Sequence, residues 1–327
     1  MESFSGKLAV VTGGGSGMGR ELVRQLAAGG CSVATCDWQA DAVERSATMA
    51  QADAPPGVIV TGHVCDVSAE DQVLRFRDDL LGQHSADHVD LVFSNAGIGG
   101  AASFVRSSRE TWERTFAVDW WGVYYLARAF LPLLIASGDG VLVNTSSVAG
   151  FWAAGGPGMP NTAYATAKFA VRGFTEALVE DLRSNAPQVR AVVVMPGHVG
   201  TDIVANSRRA HGLPEPAAMT EEMLEDLLPR SARAGLVKAG WLPEDASVDD
   251  LRRALARVEE QFREKAPLGP AEAATIILDG VRSGAWRILV GRDAGLLDAA
   301  VRASPESAYD YPTFFAAVAQ LARGSAD

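Results

Sequence analysis

A chain of 327 residues that is 48% hydrophobic and 21% charged has the make-up of a folded globular protein, which excludes a disordered or fibrous one. Its net charge of −11 is interspersed along the sequence and would repel a phosphate backbone or an anionic membrane surface, so neither nucleic acid nor membrane is an expected partner. Cys31, Cys36 and Cys65 show no paired spacing and no histidine at zinc-ligand distance, which predicts buried reduced thiols and no metal site.

The chain opens on Lys7-Leu8-Ala9-Val10-Val11, too short an apolar run for a secretory leader, and residues 112–136 are broken by Glu113, Arg114, Asp119 and Arg128, so no span is expected there. A cytoplasmic protein is the reading. Apolar, β-branched runs at 8–12, 32–36, 58–62, 89–94, 141–145 and 189–195 predict strands, with helical patterns between them. They lack polar alternation, as parallel strands covered on both faces do, and the strand–helix alternation predicts a doubly wound α/β sheet.

From 203 to 267 the pattern becomes helical, with no strand-like run. Leu251, Leu255, Val258 and Phe262 recur at helical spacing, and Ser247 with Asp250 resembles a capping box. Residues 287–290 resume the sheet, and a last helix around 314–321 follows Asp310-Tyr311-Pro312. The expected organisation is one domain over 1–327, with 203–267 a helical insertion and 293–327 a C-terminal helical extension.

The first strand runs directly into Gly13, Gly15, Ser16, Gly17, Met18 and Gly19, at the start of a helical pattern. A glycine-rich turn there lets backbone N–H groups and a helix N-terminus meet a pyrophosphate. Asp37 ends the second strand, where a carboxylate accepts hydrogen bonds from adenosine ribose hydroxyls and repels a 2′-phosphate. Trp38 and Gln39 follow, and the local sequence shows no arginine or lysine beside it, so NAD is favoured over NADP. Tyr164 and Lys168, four residues apart, share a helix face, where a cation lowers the pKa of a phenol and makes it usable as a base.

The TGxxxGxG turn, Asp37, Ser94-Asn95-Ala96-Gly97, Ser146-Ser147, YxxxK and Pro196-Gly197, in this order, resemble the short-chain dehydrogenase/reductase family. The resemblance covers about residues 5–202 and resumes at about 268–292. It implies a Rossmann-type, three-layer α/β/α fold and an NAD-dependent enzyme acting between a secondary alcohol and a ketone. Carried over, it makes Tyr164 the general acid/base, Lys168 its pKa-lowering neighbour and a ligand of the nicotinamide ribose, and Ser147 the hydroxyl that polarises the substrate oxygen; Ser146 belongs to the strand end. Asp66 and Val67 match the pair lining the adenine, Asn95, Ala96 and Gly97 the turn beside the cofactor, and Pro196, Gly197, Val199 and Thr201 the nicotinamide side. Thr12 and Asn95 serve equally well as structural residues. Where the family often has an Asn that holds a relay water, this chain has Asp119, an expected substitute. The family also implies a homo-tetramer or homo-dimer, built through helices near 111–136 and 163–185.

The 203–267 insertion starts beside the nicotinamide segment, so it is expected to act as a lid, with Met219, Met223, Leu227, Leu236 and Trp241 as an apolar cover suited to a hydrophobic alcohol or ketone. Trp152 and Met159, in the long loop before Tyr164 that also holds Pro157 and Pro160, are candidate substrate contacts, equally readable as core. His63, His84, His88, His198 and His211 show no ligand or triad spacing, and His198 is expected to act through its backbone. The alternatives are a biosynthetic ketoreductase of acyl-type substrates, for which the charge is wrong, and a non-catalytic NAD-binding sensor or scaffold, against which the intact Ser147, Tyr164 and Lys168 argue.

Overall fold

Seven parallel strands, β1 (Leu8–Thr12), β2 (Ser32–Asp37), β3 (Val60–Val64), β4 (Leu91–Ser94), β5 (Gly140–Thr145), β6 (Val189–Pro196) and β7 (Arg287–Val290), form one sheet in the order β3-β2-β1-β4-β5-β6-β7. The computed structural model describes residues 1–324 except 101, 157–158 and 229; Pro157 therefore lies outside the described residues. Side chains alternate across each strand. Ala9 and Val11 thus join one apolar layer with helices α1 (Gly17–Ala28) and α11 (Pro270–Arg282), and Leu8 and Val10 join the opposite layer. That opposite layer contains α3 (Glu70–His84), α5 (Gly122–Ala136) and α6 (Thr162–Asn185). β1 and β5 are buried along their whole length, which is why their apolar residues were legible as runs.

The third strand lies two residues later than its apolar run suggested. Pairing with β2 fixes it, Val33 opposite Val60 through Asp37 opposite Val64, and as an edge strand it tolerates an exposed Val64. Helix α2 (Ala40–Ala52) packs beside it. The helix expected near 111–136 is divided: α4 (Arg109–Phe116) passes through a π-helical turn, Ala117–Trp121, before α5 begins. No described helix is long and apolar enough to cross a membrane.

Between β6 and α11 stand α7 (Ile203–Ala210), α8 (Glu221–Leu227), α9 (Arg230–Lys238) and α10 (Val248–Glu264). A parallel bridge from Val199 to Leu268 closes the base of this insertion. The capping box forms as read: Ser247 Oγ accepts from the Asp250 N–H, and the Asp250 carboxylate accepts from the Ser247 N–H. Met219, Leu224, Leu228, Leu242, Leu251 and Leu255 make a separate core within the insertion. Helices α12 (Arg292–Ala303) and α13 (Tyr311–Gly324) close the chain, and Phe314 of α13 stacks on Trp152 at 5.0 Å.

Candidate active site

The sheet order reverses direction between β1 and β4, and the carboxyl ends of the strands there form a crevice, the usual ligand position in an open α/β sheet. Gly13 has φ +68°, a left-handed conformation open to glycine, and a Cβ on it would lie 2.9 Å from Ala96 Cα. Thr12 Oγ1 accepts the N–H groups of Asn95 and Ala96, each at 3.1 Å, so the turns after β1 and β4 are tied together. Thr12 and Asn95 are thus structural, yet Asn95 Oδ1 is buried with no partner.

A groove over these turns is lined by every residue of the predicted cofactor set except Gly15, Tyr164, Lys168, Pro196, Gly197 and Val199. Gly15 lies behind it, its N–H donating to Asp37 Oδ2 at 3.0 Å. The other five line a chamber of about 580 Å³ that joins the groove through Met18, Asn95, Gly97 and Thr201. Among the groove residues that escaped the sequence reading are Arg114, paired with Asp66 at 2.9 Å, and Asn206, which donates to Ser16 Oγ at 3.0 Å.

Around Asp37 the structure corrects one expectation. Sequence neighbours show no cation, but Arg20 of α1, directly after the last glycine of the turn, is close enough to favour the Asp37 carboxylate. The guanidinium is held by the Gly15 carbonyl and, at 3.1 Å, by Ser46 Oγ. Burial wins at Asp37 and moves its carboxyl above the ordinary value despite three backbone N–H donors.

In the chamber wall Ser147, Tyr164 and Lys168 come together, with Asp119 buried against Lys168; the four residues come from three elements, the turn after β5, α6 and the π turn. Ser147 caps a 3-10 turn, Val148–Gly150, its Oγ accepting from the Ala149 N–H at 3.1 Å, and it hydrogen-bonds Tyr164. Lys168 Nζ lies 5.4 Å from the Tyr164 ring centre, donates to the Thr145 carbonyl at 3.1 Å and pairs with Asp119 Oδ1 at 3.0 Å. Ser146 belongs to the strand end, donating to the Lys168 carbonyl.

The π turn carries Asp119 inward, where its side chain has no exposure; Oδ1 also accepts the Ile98 N–H, while Oδ2 has no partner. Burial raises its carboxyl to about 6, against the pull of Lys168. Lys168 is held above its ordinary value because Asp119 and Tyr164 outweigh burial. Tyr164 departs from expectation. Withdrawal from water, with the Asp119 charge adding to it, moves the phenol above its ordinary value despite Lys168 and Ser147.

The insertion corrects another expectation. Of the five residues read as an apolar cover, Leu227 alone lines the chamber; Met219, Met223 and Leu236 pack within the insertion, and Trp241 stacks under Arg257 at 4.6 Å. The insertion's contribution is instead Leu213, Leu255 and Phe262 with the polar Ser207, Arg208, His211 and Glu259. Trp152 lines the chamber, with its Nε1 donating to the Ala308 carbonyl at 2.8 Å, whereas Met159 is exposed and is not among its lining residues. His198 acts through its backbone as read, its N–H donating to Asp293 Oδ2 at 2.7 Å, and its ring also reaches the Phe262 carbonyl at 2.8 Å.

Residues 7–212 match the short chain dehydrogenase family. The chain belongs to the short-chain dehydrogenase/reductase family. As a short-chain dehydrogenase it is an oxidoreductase that binds a nicotinamide cofactor and acts on small molecules. It is 39% identical over 212 residues to the oxidoreductase SadH of Mycobacterium tuberculosis, covering 65% of this dehydrogenase and 74% of SadH. A short-chain dehydrogenase/reductase from Burkholderia phymatum in complex with NAD superposes with a TM-score of 0.72 at 28% identity, over 94% of this chain and 95% of that one. A metagenomic short-chain oxidoreductase in complex with NADP superposes at 0.52 with 30% identity, over 59% and 83%.

Proposed function

We propose that this dehydrogenase uses NAD to interconvert an apolar secondary alcohol and its ketone, with Tyr164 as general acid/base. The observation that carries the reading is the meeting of Ser147, Tyr164 and Lys168 in the wall of the chamber, with Asp119 buried against Lys168. The residues fit a dinucleotide: the Gly13 cradle has no room for a Cβ, and Asn95 Oδ1 is a buried acceptor without a donor. The turn at Gly13–Gly19 and the start of α1 would hold the pyrophosphate, Asp37 the adenosine ribose, Asp66 and Val67 the adenine, and Lys168 with 196–201 the nicotinamide end. When bound, the cofactor supplies the hydride chemistry at the carbinol carbon.

In oxidation, the substrate hydroxyl gives its proton to Tyr164 Oη while Ser147 Oγ donates a hydrogen bond to the same oxygen. The Ala149 N–H fixes the position of Ser147 Oγ, and its single hydrogen, directed at Tyr164 in the free enzyme, turns to the substrate oxygen when substrate is bound. Lys168 stabilises the phenolate, and Asp119 holds Lys168 in place and takes the proton onward through its unpartnered Oδ2. Residues 203–267 act as the lid, and apolar walls at Trp152, Leu213, Leu255 and Phe262 favour a hydrophobic substrate. The half-exposed Trp121 on the π turn and Phe169 on α6 fit a homo-dimer or homo-tetramer built through these helices.

Initial rates with NAD and, separately, NADP over a panel of aliphatic, aryl and polycyclic secondary alcohols test the reading. The expected result is turnover with NAD, and a preference over NADP that drops at least about tenfold in Asp37→Ser, which removes the charge facing a 2′-phosphate. An Asp37→Ser enzyme with unchanged preference refutes the assignment of Asp37.

A further inference from the structure

Two cations border the chamber among the described residues, Lys168 and Arg208, and neither is available to a substrate. Lys168 is paired with Asp119. Arg208 has a side chain only 4% exposed and is held by two carboxylates and a carbonyl: Nε donates to Glu259 at 2.8 Å, one terminal nitrogen to Glu215 at 2.6 Å, and the other to the Pro214 carbonyl at 2.8 Å. Glu259 itself borders the chamber. So does Asp293, whose Oδ1 is buried without a partner. His211 adds no charge near neutrality, because burial lowers its basicity while its Nε2 meets the Gly99 carbonyl at 2.9 Å.

We propose that the Arg208–Glu259–Glu215 cluster, with Asp293, is an electrostatic filter that restricts the chamber to substrates without a carboxylate or phosphate. The inference rests on the dehydrogenase reading above and names the substrate class of that site. An incoming anion gives up its hydration and finds no unpaired cation, and the chamber lining presents it with the carboxylates of Glu259 and Asp293. A neutral substrate gives up little, because Leu213, Leu255 and Phe262 make up the neighbouring wall. Glu259 is thus a specificity-determining residue. As a plain structural strap between α7 and α10, the cluster would affect stability and leave charge preference alone.

The test uses two ketones that differ in charge, methyl 4-acetylbenzoate and 4-acetylbenzoate, reduced with NADH by the full-length enzyme. The expected result is a kcat/KM for the ester about a hundredfold or more above that for the acid. Glu259→Gln narrows this ratio about tenfold, Glu215→Gln/Glu259→Gln narrows it further by exposing the Arg208 charge, and Glu259→Asp restores it. Thermal melts report whether each variant is folded, and Glu215→Gln alone, at the half-exposed partner, is the milder substitute if the double variant is not. Equal use of acid and ester by wild type overturns the filter, as does an unchanged ratio in folded Glu259→Gln. An enzyme that binds NADH but reduces no ketone of either charge fails the dehydrogenase reading instead. Equilibrium binding of the same pair to the NADH complex then decides the filter, and equal affinity or binding of neither overturns it.

Discussion

Replacing Asp119 by Asn removes a buried charge and keeps the shape, because an amide oxygen can still accept from Lys168 Nζ and the Ile98 N–H. The charge matters for Tyr164, whose phenol it pushes upward while Lys168 pulls it down. With the ammonium 5.4 Å from the ring centre, an effective dielectric of ~20 gives the lysine a pull of about 3 kcal/mol. The carboxylate lies at most one ion-pair length of 3.0 Å beyond that ammonium, so even at its farthest it pushes back with about 2 kcal/mol or ~1.5 pKa units, a push that ranks below the lysine's pull. Oxidation needs the ionised phenol, so the acid limb of log kcat/KM against pH follows Tyr164. That limb is expected to move toward lower pH by about one unit in Asp119→Asn, with NAD binding by fluorescence titration unchanged. An acid limb that stays in place, or moves to higher pH, refutes the claim that Asp119 sets the acidity of Tyr164.

Two further outcomes concern the scaffold. Trp152→Ala opens the chamber wall and removes the stack on Phe314, so urea unfolding is expected to show a loss of about 3–5 kcal/mol; a loss below about 1 kcal/mol contradicts the bracing of this loop by α13. His63 and His84 both hydrogen-bond Thr61 Oγ1 at 2.9 Å, and burial lowers the pKa of each. The unfolded chain therefore binds more protons below about pH 6.5, and their contribution to stability is lost as pH falls through that value. The wild-type melting temperature is expected to fall more steeply between pH 7.5 and 5.5 than that of a His63→Gln/His84→Gln variant, and parallel curves would disprove the linkage.

What could be read from the sequence was local or periodic. A parallel strand buried on both faces reads as an apolar run, which is how the inner strands were found, and the edge strand β3 was misplaced because its register is fixed by pairing with β2 and not by its own residues. The glycine turn, Asp37 and the Tyr164–Lys168 pair sit at short, fixed spacings where the chemistry demands them. Arg20 escaped as a neighbour of Asp37 because it reaches that carboxylate through the fold, from α1. The chamber walls escaped for the same reason: Arg208 and Glu259 are 51 residues apart, and His198 and Asp293 are 95 apart. The apolar residues of the insertion misled because α8, α9 and α10 are too many helices to be stabilised by one contact with the sheet, and they bury Met219, Leu224 and Leu251 against one another.

Asp119 and Arg208 look unrelated in sequence, yet each answers a buried cation beside the substrate. Lys168 is 3% exposed and Arg208 4%, and an ammonium or guanidinium so placed without a counter-charge would cost several kcal/mol. Asp119 meets that cost for Lys168, with the result that the lysine's effect on Tyr164 is partly cancelled and the phenol stays above its ordinary value. Glu259 and Glu215 meet it for Arg208, with the result that the chamber offers no anion-binding cation. In both places the counter-charge that offsets the burial of the cation also sets the chemistry: an alkaline demand on Tyr164 beside Lys168, and the proposed preference for uncharged substrates beside Arg208.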